Sequence, residues 1–408
     1  MLTPTAAIDV LRRLPSGTEV LDVVARTPGA WVVGGAVRDA LLGREPRELD
    51  LMIDGDPAQL IAGLGGSVVA HERFGTATVT LPGRGPDGDP VTVDVARARR
   101  ERYAVPGALP DVEPAPAAED LRRRDVTVNA IALRPAVAGG DAPELLAVDG
   151  ALDDLRAGVL RVLHDRSFAD DPTRLWRIAR YAARLGFTVD PHTAQLAARA
   201  DPRSVSGGRL GNELRLALRE PDPLAALRGA AALSDGLLVA GLDLEPAQLE
   251  STLALLDGIA DVPVRRDLVT LAACCRGTDA GALVDWLSAL GLGPGELDIV
   301  AAGSRASTYS PLRRAQTPSQ IARAASGAPL EVVALAGGDQ ARRWLEELRH
   351  VRLQITGADL LAAGVPQGPE LGRRLQAALD ARLDGLIDAG RDAELAVALA
   401  ADVAAVRP

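Results

Sequence analysis

The chain has 408 residues, 47% of them hydrophobic and 25% charged, with a net charge of −10. That composition describes a globular chain too long for one core, since single cores stop growing at ~250–300 residues. All 45 basic residues are arginine and only 2% of residues are aromatic, which argues against base stacking on aromatic platforms as the main recognition device. The acidic balance argues against bulk nucleic-acid binding but leaves room for locally clustered arginine. Cys274 and Cys275 are adjacent in an apolar run, a pattern of core packing with neither a disulfide framework nor a zinc spacing. No leader pattern and no run of ~18 apolar residues is visible, so the expectation is a soluble, reducing, cytoplasmic protein without membrane contact.

In chain order, the segments AWVV (Ala30 to Val33), LDLMI (Leu49 to Ile53), ATVTL (Ala77 to Leu81) and VTVDVA (Val91 to Ala96) predict strands, separated by short helical stretches. VEPAPAAED (Val112 to Asp120) reads as a mobile loop. From about Gly150 onward, Leu- and Ala-rich segments recur at helical spacing with Gly and Pro between them. The organisation expected is α+β: a small-sheet head over 1–145, then an all-α neck (146–205), body (206–330) and tail (331–408).

Three features of the head point to chemistry. In VVGGAVRDALLG, Gly34 and Gly35 stand between a strand and a helix, where a tight turn lets backbone approach a phosphate and Arg38 adds charge from the first turn. In RELDLMI, Glu48 and Asp50 share one face of a strand while Leu49, Leu51 and Ile53 take the other. On VTVDVA, Asp94 lies opposite the face of Val91, Val93 and Val95. Three acids facing one another are costly unless a hard divalent cation binds them. A glycine turn for phosphates with carboxylates for two metals describes nucleotidyl transfer.

A fourth feature lies in DDPTRLWRIARYAARLGF. Arg174, Arg177 and Arg180 fall within a 120° face of a helix, one turn beyond Asp171. An exposed arginine stripe is the ordinary reading of that spacing. The nearby acid changes it, because an acceptor beside a donor fork matches a Watson–Crick edge. The amino groups of cytosine and adenine donate to an Asp, whereas O4 of uracil and O6 of guanine do not. In LRRRDVTVNAIAL, the run Arg122, Arg123 and Arg124 before Asp125 sits at the edge of an apolar segment. His164-Asp165 reads as a surface pair.

With GGAVRDALLG…ELDLMIDGD, HERFGTATV, VDVARARRERYAVPGALPDV, DLRRRDVTVNAIAL, DGALDDLRAGVLRVL and DDPTRLWRIARYAARLGF in this order, the chain resembles the class II tRNA nucleotidyltransferase and bacterial poly(A) polymerase family. ITGADLLAAGVPQGPELGRRL is similar to that family's tail segment. The resemblance covers most of the chain, and the region from about 215 to 350 is only generically helical.

It implies a polymerase-β-type head that holds two Mg²⁺ through Glu48, Asp50 and Asp94. It implies nucleotide contacts from Gly34, Gly35, Arg38, Asn129, Arg177 and Arg180, phosphate or ribose contacts from Arg123 and Arg124, and a ribose hydroxyl on Asp125. Asp171 and Arg174 would read the base. The activity implied is addition of C and/or A to the 3′ end of tRNA from CTP and ATP. The partners are the tRNA 3′ end and acceptor arm, with no protein partner implied.

A-only addition and poly(A) synthesis remain alternatives, with a catalytically silent RNA-binding protein a remote third. The full-length span from Arg99 to Asp120 disfavours CC-only addition. Two residues depart from the family pattern: Glu48 where Asp is usual, and Gly208 where Glu is usual, with Arg209 and Glu213 retained.

Overall fold

A computed structural model describes residues 1–71, 75–85, 88–137, 142–259, 262–306 and 310–401. Glu72, Arg73 and Phe74 of the HERFGTATV motif lie outside the described residues. Contacts divide the chain into two units, Met1–Ala240 and Gly241–Pro408. The boundaries expected near 145 and 205 fall inside the first, and the one near 330 inside the second.

The first unit opens with α1 (Pro4–Arg12), whose N-terminus is capped by the Thr3 hydroxyl accepting from the Ala6 amide, and α2 (Gly17–Arg26). Then follow β1 (Ala30–Val33), α3 (Gly35–Leu41), β2 (Leu49–Ile53), α4 (Ala58–Leu64), β3 (Ser67–His71), β4 (Thr76–Arg84) and β5 (Pro90–Arg97). A two-stranded hairpin, β6 (Arg99–Arg102) with β7 (Asp111–Pro114), leads into α5 (Ala117–Arg122), β8 (Ile131–Arg134) and β9 (Glu144–Ala147). One sheet of seven strands runs in the order β3-β4-β5-β2-β1-β8-β9. Its β2–β5 pair is parallel and the other pairs are antiparallel.

The loop expected over Val112 to Asp120 is structured. Its first part is strand β7 and its second is helix α5. Pro114 is tolerated because β7 pairs only with β6, so one edge owes no ladder bond.

Both faces of the sheet are covered near β1 and β2. Val32, Leu51, Val93 and Val95 are buried on one face. On the other, Trp31, Val33, Met52, Ala98, Leu121, Ala130 and Ala132 form one cluster, to which α5 contributes Leu121. On this second face polar groups begin at the row that contains Val33, where Asp50 is its partner on β2.

The rest of this unit is helical: α6 (Ala151–Ala157), α7 (Ser167–Asp170), α8 (Arg174–Leu185), α9 (Pro191–Ala197), α10 (Gly207–Leu218) and α11 (Pro223–Leu233). Helix α8 packs on α10 and α11.

The second unit is helical throughout its described residues. The helix Arg266–Cys274 is buried along its length from Asp267 onward, and Cys274 and Cys275 are fully enclosed, which pushes both thiols up to about 12. In its last part, Ile355, Leu360, Val365, Ala378 and Ala398 share a core beside the buried Glu394, whose carboxylate accepts from the Gln354 amide at 2.6 Å. Among the described residues no helix is long and apolar enough to cross a membrane.

Candidate active site

Register places the acids. In the ladder, Val33 pairs with Asp50, Asp50 with Asp94, and Asp94 with Thr78. Directly paired residues point to the same face, so these four form a row across β1, β2, β5 and β4. Thr78 donates its hydroxyl to Asp94 Oδ1 at 2.6 Å. Asp94 is exposed, Asp50 is half-buried, and Glu48 is exposed one residue before β2 begins.

Burial pushes the Asp50 carboxyl up from 3.8 to about 6. The negative charges of Glu48 and Asp94 add to the rise, and Arg124 and Arg177 oppose it. A divalent cation would relieve that repulsion, and Mg²⁺ is commonly held by one or two carboxylates plus substrate phosphates. The donor chemistry therefore fits a cation. The expectation of a converged three-acid cluster is corrected: among the described residues no three such side chains gather closely enough to hold a metal ion. Glu48 reaches Asp50 by charge, and its place ahead of the strand leaves it outside the ladder that aligns the other two.

At the end of β1, Gly34 turns the chain into α3 with φ 69° and ψ −133°, a conformation open mainly to glycine. A Cβ there would lie 2.9 Å from Arg124 Nη1 and 3.9 Å from Asp50 Oδ2. Gly35 opens α3 without such a constraint, since a Cβ would meet only the Arg38 guanidinium, at 3.5 Å.

Arg38 does not project from this turn. It is 1% exposed, donates to both Asp39 oxygens at 2.8 and 2.9 Å, and donates to Asn129 Oδ1 at 2.5 Å. The expected phosphate contact is replaced by an internal tie. Asn129 passes the chain on to Asp125 Oδ1 at 3.1 Å.

Asp125 also accepts from the Val126 amide, from Arg177 Nε at 2.8 Å, and from the Tyr181 hydroxyl at 3.0 Å. Burial alone would raise the Asp125 carboxyl, but the Arg177 charge and the bonds from Asn129 and Arg177 outweigh it and hold the group below its ordinary range. At 6% exposure its lone pairs are already engaged by the protein, so the ribose contact expected of Asp125 gives way to a role in holding Arg177. Tyr181, which sequence reading passed over, lies within 5.6–5.7 Å of the guanidinium carbons of Arg38, Arg177 and Arg184.

The two other arginines of the RRRD run share one acid. Asp120, 1% exposed, accepts from Arg123 through Oδ1 and from Arg124 through Oδ2. Arg123 also donates to Glu101 at 2.7 Å and to the Arg99 carbonyl. The Tyr103 hydroxyl donates to the other Glu101 oxygen at 2.8 Å.

Asp171 precedes α8 and, among the described residues, uses Oδ1 alone, accepting from Thr173 and from Arg209 Nη2 at 2.8 Å. Arg174 is 5% exposed and donates to Ser167 Oγ and to the Arg123 carbonyl. Arg177 keeps 39% of its side chain exposed, whereas Arg180 keeps 11% and pairs with Glu213 and Glu220. The helical stripe is thus paired at every position.

Gly208 leaves open space where a side chain would stand. The buttressing of this corner comes instead from Arg209, which holds Asp171, from Glu213, and from the unforeseen Glu220. Asp165 bonds to His192 rather than to its neighbour His164, and both partners are exposed.

A seven-stranded mixed sheet with two aligned acids beside a glycine turn, followed by arginine-bearing helices, defines a nucleotidyltransferase of the polymerase-β type. The Poly A polymerase head domain matches residues 30–161. A CC-adding tRNA nucleotidyltransferase of Deinococcus radiodurans is 38% identical over 350 residues, covering 84% of this chain and 82% of that one. An A-adding tRNA nucleotidyltransferase of Geobacter sulfurreducens is 32% identical over 375 residues, and there the chain spans only 41% of the relative's length. Among solved structures, an apo CCA-adding enzyme superimposes with a TM-score of 0.74 at 25% identity, covering 98% of this chain and 96% of that one. The chain belongs to the tRNA nucleotidyltransferase family.

Proposed function

We propose that this enzyme adds C and/or A to the 3′ end of tRNA from CTP and ATP without a nucleic-acid template. In the reaction the terminal 3′-hydroxyl oxygen forms a bond to the α-phosphorus, the bond from that phosphorus to the bridging oxygen breaks, and pyrophosphate leaves. The observation that carries the reading is the row Asp50–Asp94 beside the Gly34 turn and Arg124. Asp50 and Asp94 would hold Mg²⁺ together with the substrate phosphates, and Glu48 would have to join them from its place ahead of β2 to complete a two-ion site. Ions held there would supply a lowered pKa for the attacking hydroxyl and would offset charge on the leaving phosphates.

The protein's own part is binding and choice. Arg124 and the exposed edge of Arg177 present donors to the triphosphate. Asp171 Oδ2 has no protein partner among the described residues, which leaves one acceptor for the amino group of cytosine or adenine. Arg174 is spent on Ser167 and Arg123, so its proposed share in base reading falls mainly to holding that corner. The helical units beyond the head would clamp the acceptor arm by shape and backbone contact.

The relatives include both CC-adding and A-adding enzymes. The long span from Arg99 to Asp120 weighs against CC-only addition, while the match to the Deinococcus enzyme weighs for it.

The test uses purified protein with tRNAs ending before CCA, after C and after CC, supplied with CTP or ATP alone, and sequencing of the ends. Extension by C and A shows full synthesis, and extension of one set shows a divided task. Long A tails point to poly(A) synthesis, and no extension in any tube overturns the reading.

A further inference from the structure

We propose that Asp120 is a positioning residue that aims Arg124 at the incoming triphosphate. The inference rests on the nucleotidyl-transfer reading and adds to it the device that orients the phosphate-binding donor. Asp120 is 1% exposed and receives five donors: the Arg99 amide at 3.1 Å, Arg123 Nε at 2.9 Å and Nη2 at 2.6 Å on Oδ1, and Arg124 Nε at 3.3 Å and Nη2 at 3.2 Å on Oδ2. One carboxylate therefore serves two guanidinium groups, one through each oxygen.

The two arginines end differently. Arg123 engages all three of its guanidinium nitrogens, because its remaining Nη1 donates to Glu101 at 2.7 Å. Arg124 commits only the Nε–Nη2 edge, and its Nη1 has no partner among the described residues. That free Nη1 lies over the side of Gly34 that lacks a Cβ, 2.9 Å from where one would be, with Asp50 Oδ2 3.9 Å from the same point.

A guanidinium is planar and rigid, so gripping one edge fixes the direction of the other. Sequence spacing makes the grip possible. Asp120 lies in the last turn of α5, and Arg123 and Arg124 follow at three and four residues, on the same side of one turn. The charged donor is thereby held over the glycine turn, where only the missing Cβ of Gly34 makes room for its guanidinium.

The experiment compares the parent with Asp120→Asn, Arg124→Ala and the double variant, in transfer of C to tRNA and in calorimetric binding of CTP without tRNA. Asp120→Asn keeps the size of the side chain but turns an NH₂ donor toward a guanidinium. Losing one aimed, charge-assisted bond should raise the KM for CTP about tenfold or more, with the KM for tRNA unchanged. CTP binding should weaken by the same factor. The double variant should bind CTP no more weakly than Arg124→Ala alone, since the two side chains act as one unit.

Should Asp120→Asn lower the melting temperature too far to assay, Arg124→Lys serves instead. It keeps the charge but lacks a second edge, and it should weaken CTP as much as Arg124→Ala does. Unchanged CTP affinity in Asp120→Asn, or independent effects in the double variant, overturns the proposal. Failure of the parent to transfer either C or A would instead count against the functional reading; a parent that transfers only A is compared in the same way with ATP in place of CTP.

Discussion

Replacing Asp50 by Asn should stabilise the first unit while abolishing nucleotidyl transfer. In the folded chain the Asp50 carboxyl sits at about 6 against an ordinary 3.8, raised first by burial and then by Glu48 and Asp94. The folded state therefore binds a proton between those two values that the unfolded state has already released. Stability falls as pH rises through that window, and the full penalty is present above it. At ~1.4 kcal/mol per tenfold change in proton affinity, the ionised carboxylate costs about 3 kcal/mol at neutral pH. Asn has the shape of the protonated acid and carries no charge to desolvate.

Hydrogen exchange of the β2 amides, which reports opening of this unit rather than of the whole chain, measures the difference in EDTA at pH 7.5 and again near pH 4. Asp50→Asn should exceed the parent at pH 7.5 and match it at the lower pH. Added Mg²⁺ should protect the parent only. A variant no more stable than the parent at pH 7.5 without metal, or a difference that does not change with pH, refutes the reasoning.

Gly34→Ala should cost about 1–3 kcal/mol in urea denaturation, because an L-residue is strained at φ 69°, and calorimetry should show weakened CTP binding as the new methyl displaces the Arg124 guanidinium. Tyr181→Phe keeps the ring against its three arginines and removes only the hydroxyl bond to Asp125, so it should destabilise by about 1–2 kcal/mol, read as an unchanged urea slope with a lower midpoint. Asp171→Ala should relax discrimination against UTP and GTP in a four-nucleotide competition while leaving the protein folded; unchanged relative use of the four would remove Asp171 from base reading. Glu48→Ala should abolish transfer while filter binding of tRNA survives, and Glu48→Asp should retain activity with altered preference between Mg²⁺ and Mn²⁺.

Local pattern was enough for the central strands. AWVV and LDLMI are continuous apolar runs broken only by Asp50, and β1 and β2 have those bounds. Strand β3 was missed because an edge strand exposed on both faces carries no alternation: Val68 and Val69, which point to opposite faces, are 44% and 60% exposed. Strand β7 was missed because proline outweighed its pairing with β6.

At the site, the charged positions were legible and their partners were not. Arg38 meets Asn129 across 91 residues, Arg177 meets Asp125 across 52, and Arg180 meets Glu220 across 40. Helical periodicity says which residues share a face, and it carries no information about what that face is packed against. Asp120 and Glu220 were overlooked because an acid at a loop or just past a helix end reads as a solvated one, whereas here both are buried and hold arginines.

Those pairings bear on how an acidic chain handles anionic substrates. Asp39, Glu101, Asp120, Asp125, Glu213 and Glu220 each hold an arginine of the head or of α8. Most of the positive charge near the site is thus neutralised within the protein. What remains for a triphosphate is directional: the free Nη1 of Arg124 and the open edge of Arg177, each fixed by an acid behind it.

Such a layer confuses simple mutagenesis, because removing Asp125 would release Arg177 and silence the enzyme without Asp125 ever touching a nucleotide. Loss of activity alone cannot separate contact from support at these positions. The conservative exchanges that leave charge or shape in place, Tyr181→Phe and Arg124→Lys, can, since the first removes one hydroxyl bond and the second the two-nitrogen grip of Asp120, and each leaves the rest of the layer to report whether it was the aim or the charge that mattered.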